Sequence, residues 1–116
     1  MEIYATIKEM VQLGKDGELL SYPVEYTKLP RLKEPTMKHH YRKNPLTDVT
    51  VEAQASVSYD FQSVRFGVTV TVKNIPMETA EGYQDVLQDI CMSRINTLET
   101  GAQEFLTGLV EKRNNR

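Results

Sequence analysis

The sequence has little of what enzymes and metalloproteins use for chemistry. It contains one cysteine and two histidines, and the histidines are neighbours, His39 and His40. Adjacent residues of an extended chain point to opposite sides, so this pair is poorly placed to bind one metal ion, and no zinc-type spacing supplies further ligands. A nucleophile elbow, a phosphate-binding glycine loop and a dinucleotide fingerprint are also missing. We therefore expect a non-enzymatic protein with no cofactor and no metal.

Long apolar segments are absent as well. No run approaches the roughly 18 apolar residues that a membrane-spanning helix needs, and Met1–Tyr4 does not begin a secretory signal. The single cysteine, Cys91, cannot form an intrachain disulfide, which fits a reducing compartment. With 116 residues, the chain is expected to form one cytoplasmic domain that does not bind membranes.

What the chain does have is a clear period of two in its middle. Apolar residues occupy every second position over 49–61 and again over 64–72, and polar residues lie between them. A period of two indicates a strand with one face towards a core. The sequence thus predicts a β-hairpin over 48–75, with Val68 and Val70 on its buried face.

Beyond Pro76 the apolar spacing changes to three and four residues. The apolar positions there are Tyr83, Leu87, Ile90, Cys91, Ile95, Leu98, Ala102, Phe105 and Leu109. This spacing predicts an amphipathic helix over 79–113 with Thr79 as its N-cap. Each glycine inside a helix costs about 1 kcal/mol relative to alanine. Gly101 and Gly108 therefore mark either a break at Gly101 or a close approach of another backbone.

The N-terminal region is more ambiguous. Ile3 and Ile7 fit both strand alternation and one helical face. The Asp16-Gly17 pair with apolar flanks is a strong hairpin signal, because glycine adopts a positive φ without steric cost. We therefore predict an N-terminal hairpin over 1–26.

Prolines at 23, 30, 35 and 45 indicate a long loop over 27–47 that is rich in basic residues. Loops of this length in compact domains are commonly functional. The expected partner-binding residues are Lys28, Arg31, Lys33, Lys38, His39, His40, Tyr41, Arg42 and Lys43. Cations interleaved with an aromatic ring suit nucleic acid. The net charge of −2 argues against it, and an acidic protein surface, including the acidic helix of a second subunit, is the other partner considered.

Residues 55–61 (ASVSYDF) and 64–70 (VRFGVTV), followed by an acidic helix, resemble small accessory proteins encoded by bacteriophages and mobile elements. The resemblance covers about half of the chain and carries no catalytic residues. It implies a phage or prophage origin and an accessory role, such as binding DNA or binding and blocking a host protein.

These observations predict an α+β fold over 1–116, in which antiparallel hairpins form a sheet covered by the C-terminal helix. A helix of this length spans roughly 50 Å, and a ten-residue strand only about 33 Å. The end of the helix should then overhang the sheet and form a homodimer interface from Leu98, Gly101, Ala102, Phe105, Leu106 and Leu109. The alternative is a break at Gly101 that folds the last segment back onto the N-terminal hairpin. The expected function is binding of a host protein, whose activity is modulated or inhibited. The alternative function is nucleic-acid binding through 28–43.

Overall fold

One antiparallel sheet packed against one long helix makes up the protein. The computed structural model describes residues 2–14, 19–33, 45–59 and 62–114. The elements are β1 (Ile3–Leu13), β2 (Leu19–Ser21), β3 (Glu25–Leu29), β4 (Leu46–Tyr59), β5 (Gln62–Pro76), a 3₁₀ turn (Met77–Thr79) and α1 (Ala80–Asn114). The predicted α+β fold is therefore confirmed.

The sheet is built around β1 and β5. β5 pairs with β4 on one side and with β1 on the other. The outer side of β1 is shared by two short strands, because β3 pairs with Ile3–Ile7 and β2 pairs with Met10–Gln12. The resulting order is β2-β1-β5-β4, with β3 beside β2 on β1. β4 is thus an edge strand.

The hairpin β4–β5 is longer than the predicted 48–75, and it contains one bulge. The register moves from Thr47 opposite Ile75 to Val49 opposite Val72, so β5 carries one extra residue. Asn74 adopts the left-handed region, with φ at 57°, which asparagine tolerates better than most residues. Its N–H donates to the Asp48 carboxylate over 3.0 Å. The bulge therefore turns the fully buried Ile75 towards the helix.

The core lies between the helix and one face of the sheet. The β5 side chains of that face are at most 3% exposed: Val64, Phe66, Val68, Val70 and Val72. Ala5 and Ile7 of β1 extend this layer. The helix contributes Tyr83, Leu87, Cys91, Ile95, Ala102 and Leu106. Both predicted apolar patterns thus meet in the core, with Val68 and Val70 at its centre.

The helix α1 is continuous, as predicted over 79–113, and its start differs from the prediction. The helix begins at Ala80, and Thr79 ends the 3₁₀ turn, where its hydroxyl donates to the Pro76 carbonyl over 2.7 Å. Thr79 is therefore not an N-cap that accepts from the helix. The helix runs unbroken through Gly101 and Gly108, and a Cβ at either glycine would meet nothing within 4 Å. The predicted break at Gly101 is therefore wrong, whereas a close approach of a second subunit's helix at these glycines stays a prediction.

The predicted overhang of the helix is also wrong, because the strands are longer than ten residues. β4 and β5 have 14 and 15 residues and span about 46–50 Å, while the 35 residues of α1 span about 52 Å. The sheet therefore supports the helix along most of its length. Ala102 and Leu106 lie in the core as a result. The protein is elongated, with extents of 71 × 21 × 21 Å.

The N-terminal region forms a hairpin as predicted, from β1 and β2, and then a third strand. β3 includes Lys28, so the predicted loop over 27–47 begins inside a strand. The next residues are held against α1 by Tyr83, whose hydroxyl donates to the Pro30 carbonyl (3.0 Å) and accepts from the Leu32 N–H (3.2 Å). Gly82 leaves room for this contact, because a Cβ there would lie 2.8 Å from Leu32 Cδ1.

Candidate functional site

An apolar groove lies between the second half of α1 and the β1–β2 hairpin. Its volume is about 350 Å³, and its lining combines helix and strand residues: Val11, Leu13, Leu20, Tyr22, Val64, Phe66, Thr97, Leu98, Gly101, Ala102 and Phe105. The lining is mainly apolar. A concave apolar surface of this size is the usual form of a binding site.

Strand register and one glycine shape this groove. Leu20 lies opposite Val11, so both belong to the face of the sheet that α1 covers. Gly101 has no side chain and faces open space. The helix therefore leaves a gap above β2, where a larger side chain would fill part of the groove.

The rim of the groove carries large apolar side chains that water reaches. Leu13, Leu20, Tyr22 and Phe105 are 39%, 44%, 48% and 44% exposed. Leu109, one turn after Phe105, is exposed too. Contiguous exposed apolar residues commonly mark an interaction surface. The sequence pattern of the helix pointed to Phe105, but it gave no sign that Leu13, Leu20 and Tyr22 would lie beside it.

The residues predicted as an oligomer interface are split by the structure. Leu98, Gly101, Ala102 and Phe105 line the groove, and Leu109 is exposed nearby. Leu106 is buried against the sheet and so is not free for a partner, and Ala102 is only 7% exposed. The homodimer itself stays a prediction.

A charged cluster lies one helical turn before the groove. Arg94 of α1 contacts Glu9 of β1 (Nη1 to Oε1, 3.2 Å) and Glu25 of β3 (Nη2 to Oε2, 2.6 Å). The Glu9 side chain is only 16% exposed, because it lies on the covered face of the sheet. The hydrogen bond that Arg94 donates to Glu25, and then the charges of both carboxylates, raise the pKa of Arg94 against the opposing effect of burial. Arg94 thus ties α1 to two strands as a permanent cation.

The predicted basic binding residues are only partly brought together. Lys28 projects from β3 on the uncovered face of the sheet, with Nζ 3.0 Å from Glu2 Oε1. Arg31 and Lys33 are exposed after β3. The other predicted residues lie outside the described residues: Lys38, His39, His40, Tyr41, Arg42 and Lys43.

The uncovered face of the sheet carries cations and two aromatic rings. Lys8 of β1 and Arg65 and Lys73 of β5 are exposed there. Tyr26 lies opposite Thr6 and is 70% exposed, and Tyr4 is its diagonal neighbour. The Tyr4 hydroxyl and the Lys28 ammonium group lower the pKa of Glu2. Tyr4 and Tyr26 were not among the predicted binding residues, because their neighbourhood on the sheet depends on the pairing of β1 with β3.

Within the described ranges, no group of three His, Cys, Asp or Glu residues could hold a metal ion. The Cys91 thiol is buried and donates to the Val68 carbonyl over 3.7 Å, and burial raises its pKa, whereas reactive cysteines need a lowered one.

Comparison with known protein families, with curated proteins and with solved structures finds no match for this chain. In the part of the chain that the structure describes, no helix is both long and apolar enough to cross a lipid bilayer.

Proposed function

We propose that this chain is a non-enzymatic binding protein that engages a protein partner through the apolar groove. The observation that carries the proposal is the row of exposed apolar side chains around one concave surface, Leu13, Leu20, Tyr22 and Phe105. A contact of this kind gains free energy by removing apolar surface from water.

The chemistry of the groove favours a protein over a nucleic acid at this surface. The lining offers apolar side chains and no cation, whereas nucleic acid is bound largely through phosphate contacts with Lys and Arg. The charged side chains exposed on α1 are mainly acidic, at Glu81, Asp85, Asp89, Glu104 and Glu111, and Glu99 is half-buried. A partner with two or three large apolar side chains and a basic rim would complement both features.

The proposed role is that of an accessory protein of phage type, which modulates or inhibits a host protein by binding it. This part rests on the resemblance of residues 55–70 and stays a prediction. The groove supplies a surface through which such binding would work.

The test compares two charge substitutions on α1. Phe105→Glu places a charge in the groove, and Met92→Glu is the matched control, because Met92 is a similarly exposed apolar residue of the same helix outside the groove. Tagged chains are used to capture partners from a bacterial lysate with and without nuclease. We expect one discrete protein that is retained by the wild type and by Met92→Glu, lost with Phe105→Glu, and insensitive to nuclease. Equal capture by all three chains would contradict the proposal.

The second candidate function, nucleic-acid binding, is supported by the uncovered face of the sheet. Exposed Tyr26 lies on the same face as Lys8 and Arg65, and single strands are bound by aromatic stacking between cations. Its test is fluorescence anisotropy with labelled single-stranded oligonucleotides. Tyr26→Ala should weaken binding by about 1–3 kcal/mol per stacked base, and Tyr59→Ala, an exposed tyrosine on the other face, should not. Absence of binding at low salt would exclude this candidate.

A further inference from the structure

The outer edge of β4 is a long strand edge with no described residue paired to it. β4 has 14 residues, and its inner edge pairs with β5 from Leu46 to Tyr59. An open edge presents a row of unpaired N–H and C=O groups, which can pair with another chain unless the protein protects it.

The two edges of this sheet differ in how well they are protected against pairing with another strand. The edge beyond β1 is formed by β2 and β3, which have three and five residues and are separated by a segment containing Pro23. β3 also carries charges, at Glu25 and Lys28. Short strands, proline and charge are the usual means of blocking edge pairing. Between Val49 and Tyr59, β4 has no proline, no glycine and no basic residue, and its one charge is Glu52.

The apolar row of β4 is also incompletely covered. Its members are only partly buried: Val49, Val51, Ala53, Ala55 and Val57. Their neighbours in β5 are almost fully buried. The core therefore ends in a half-covered apolar margin along the open edge.

We propose that β4 pairs with β4 of a second copy of this chain, antiparallel and about a two-fold axis. Two five-stranded sheets would then form one continuous sheet, with both helices on the same face because the axis is perpendicular to it. The two apolar margins meet between the helices and cover each other.

The straight part of β4 fixes the register of this pairing. It runs from Val49, just after the bulge, to the end of the strand at Tyr59, and its midpoint is Gln54. Pairing it with itself over its full length places Gln54 opposite Gln54 and Glu52 opposite Ser56. No like charges then face each other, and Val51 meets Val57 on the apolar side, so the edge is complementary to itself.

This interface is independent of the groove. The groove lies on the β1–β2 side of α1, whereas β4 lies on the opposite side of the helix, beside Gln103 and Thr107. A second copy on β4 and a protein partner in the groove can therefore be bound at the same time. Failure of one proposal leaves the other standing.

The first test is the mass in solution, measured by light scattering after size exclusion. We expect twice the chain mass of 13.3 kDa. A monomer mass at all concentrations up to about 100 μM would overturn the proposal, because a dimer weaker than this has little stabilising interface energy.

The second test traps the predicted register by a disulfide. In Gln54→Cys the two new thiols lie opposite each other, with Cα atoms about 4.5–5.5 Å apart, within the range that a disulfide spans. Ser58→Cys is the matched control, on the same strand and face but far from its own copy in this register. The natural Cys91 is buried and does not interfere. We expect a cross-linked dimer from Gln54→Cys only; equal cross-linking of both variants, or of neither, would overturn the register.

The third test uses charge. In Ser56→Glu, the new carboxylate of each copy lies opposite Glu52 of the other copy, so two pairs of like charges face each other across the interface. Within one chain, residue 56 lies opposite Arg65. The fold should therefore be retained, and the dimer dissociation constant should rise about tenfold. Ser56→Lys should lower it instead. If the dimer dissociation constant is unchanged in both Ser56 variants but the dimer is lost in Phe105→Glu, the interface lies at the groove and the proposal is overturned.

Discussion

Replacing Tyr83 by phenylalanine tests how the chain after β3 is held in place. The Tyr83 ring is fully buried in the core, and only its hydroxyl reaches the backbone of Pro30 and Leu32. Tyr83→Phe keeps the ring and so creates no large cavity. It removes one donor from the Pro30 carbonyl and one acceptor from the Leu32 N–H.

The expected loss follows from these two hydrogen bonds. Each contributes about 0.5–1.5 kcal/mol net, and partners left unsatisfied raise the cost, so Tyr83→Phe should lower the free energy of unfolding by about 1–3 kcal/mol. For a chain with a total stability of about 5–15 kcal/mol this is a large fraction.

Urea denaturation followed by circular dichroism measures this loss. Tyr4→Phe is the control, because among the described residues the Tyr4 hydroxyl bonds to the fully exposed Glu2 carboxylate, so its removal should leave the free energy of unfolding nearly unchanged. Hydrogen exchange at the Leu32 amide should also accelerate in Tyr83→Phe and not in Tyr4→Phe. If both variants lose the same small amount of stability, the two Tyr83 hydrogen bonds do not hold this segment, and the reasoning is refuted.

Three further predictions concern the core. Val70→Asp should unfold the protein, because an unpaired buried carboxylate costs several kcal/mol. Thr71→Asp, on the uncovered face, should leave the circular dichroism spectrum unchanged. If the protein tolerates both substitutions equally, the strand assignment is wrong. Arg94→Met should lower the free energy of unfolding, measured in urea, by about 1–3 kcal/mol, because it leaves the Glu9 carboxylate unpaired. Adding Glu9→Gln should recover most of this loss. A double mutant whose loss equals the sum of the two single losses would disprove the pairing. Burial raises the pKa of Cys91 above its ordinary value of 9.0, so the stability that the protonated thiol contributes is fully present below pH 9.0 and is lost as the pH rises through the folded-state pKa. At pH 8 the native protein should therefore react with a thiol reagent far more slowly than the unfolded protein. Rapid labelling of the native protein would show that the thiol is accessible.

The hairpin and the helix could be predicted because each has one face against the core and one in water. The strand β3 could not be. Its residue Glu25 faces the covered side of the sheet, where an apolar residue would be expected, because it pairs with Arg94 of α1. That ion pair joins positions far apart in the sequence, so no local sequence pattern predicts it.

The groove was partly predictable, because its helix residues follow the apolar pattern of α1. Phe105 and Leu98 belong to a visible helical stripe, and the sequence placed them in an interface. Leu20 and Tyr22 joined them only because β2 pairs with the end of β1. The overhang of the helix was expected because a strand of about ten residues was assumed, whereas β4 and β5 have 14 and 15 residues.

The core side chains of α1 follow one another in single file. From Tyr83 to Leu106 each packs against the stretch of sheet beneath it, along a protein 71 Å long and 21 Å wide. Such an arrangement resembles a repeat protein, in which stability is a sum of neighbouring contacts rather than a property of one centre. We expect the last turns of α1 to open without disturbing Tyr83, because the buried side chains that hold them are Ala102 and Leu106. The groove lies beside this end of the helix, so a partner bound there should stabilise that end more than the end that contains Tyr83.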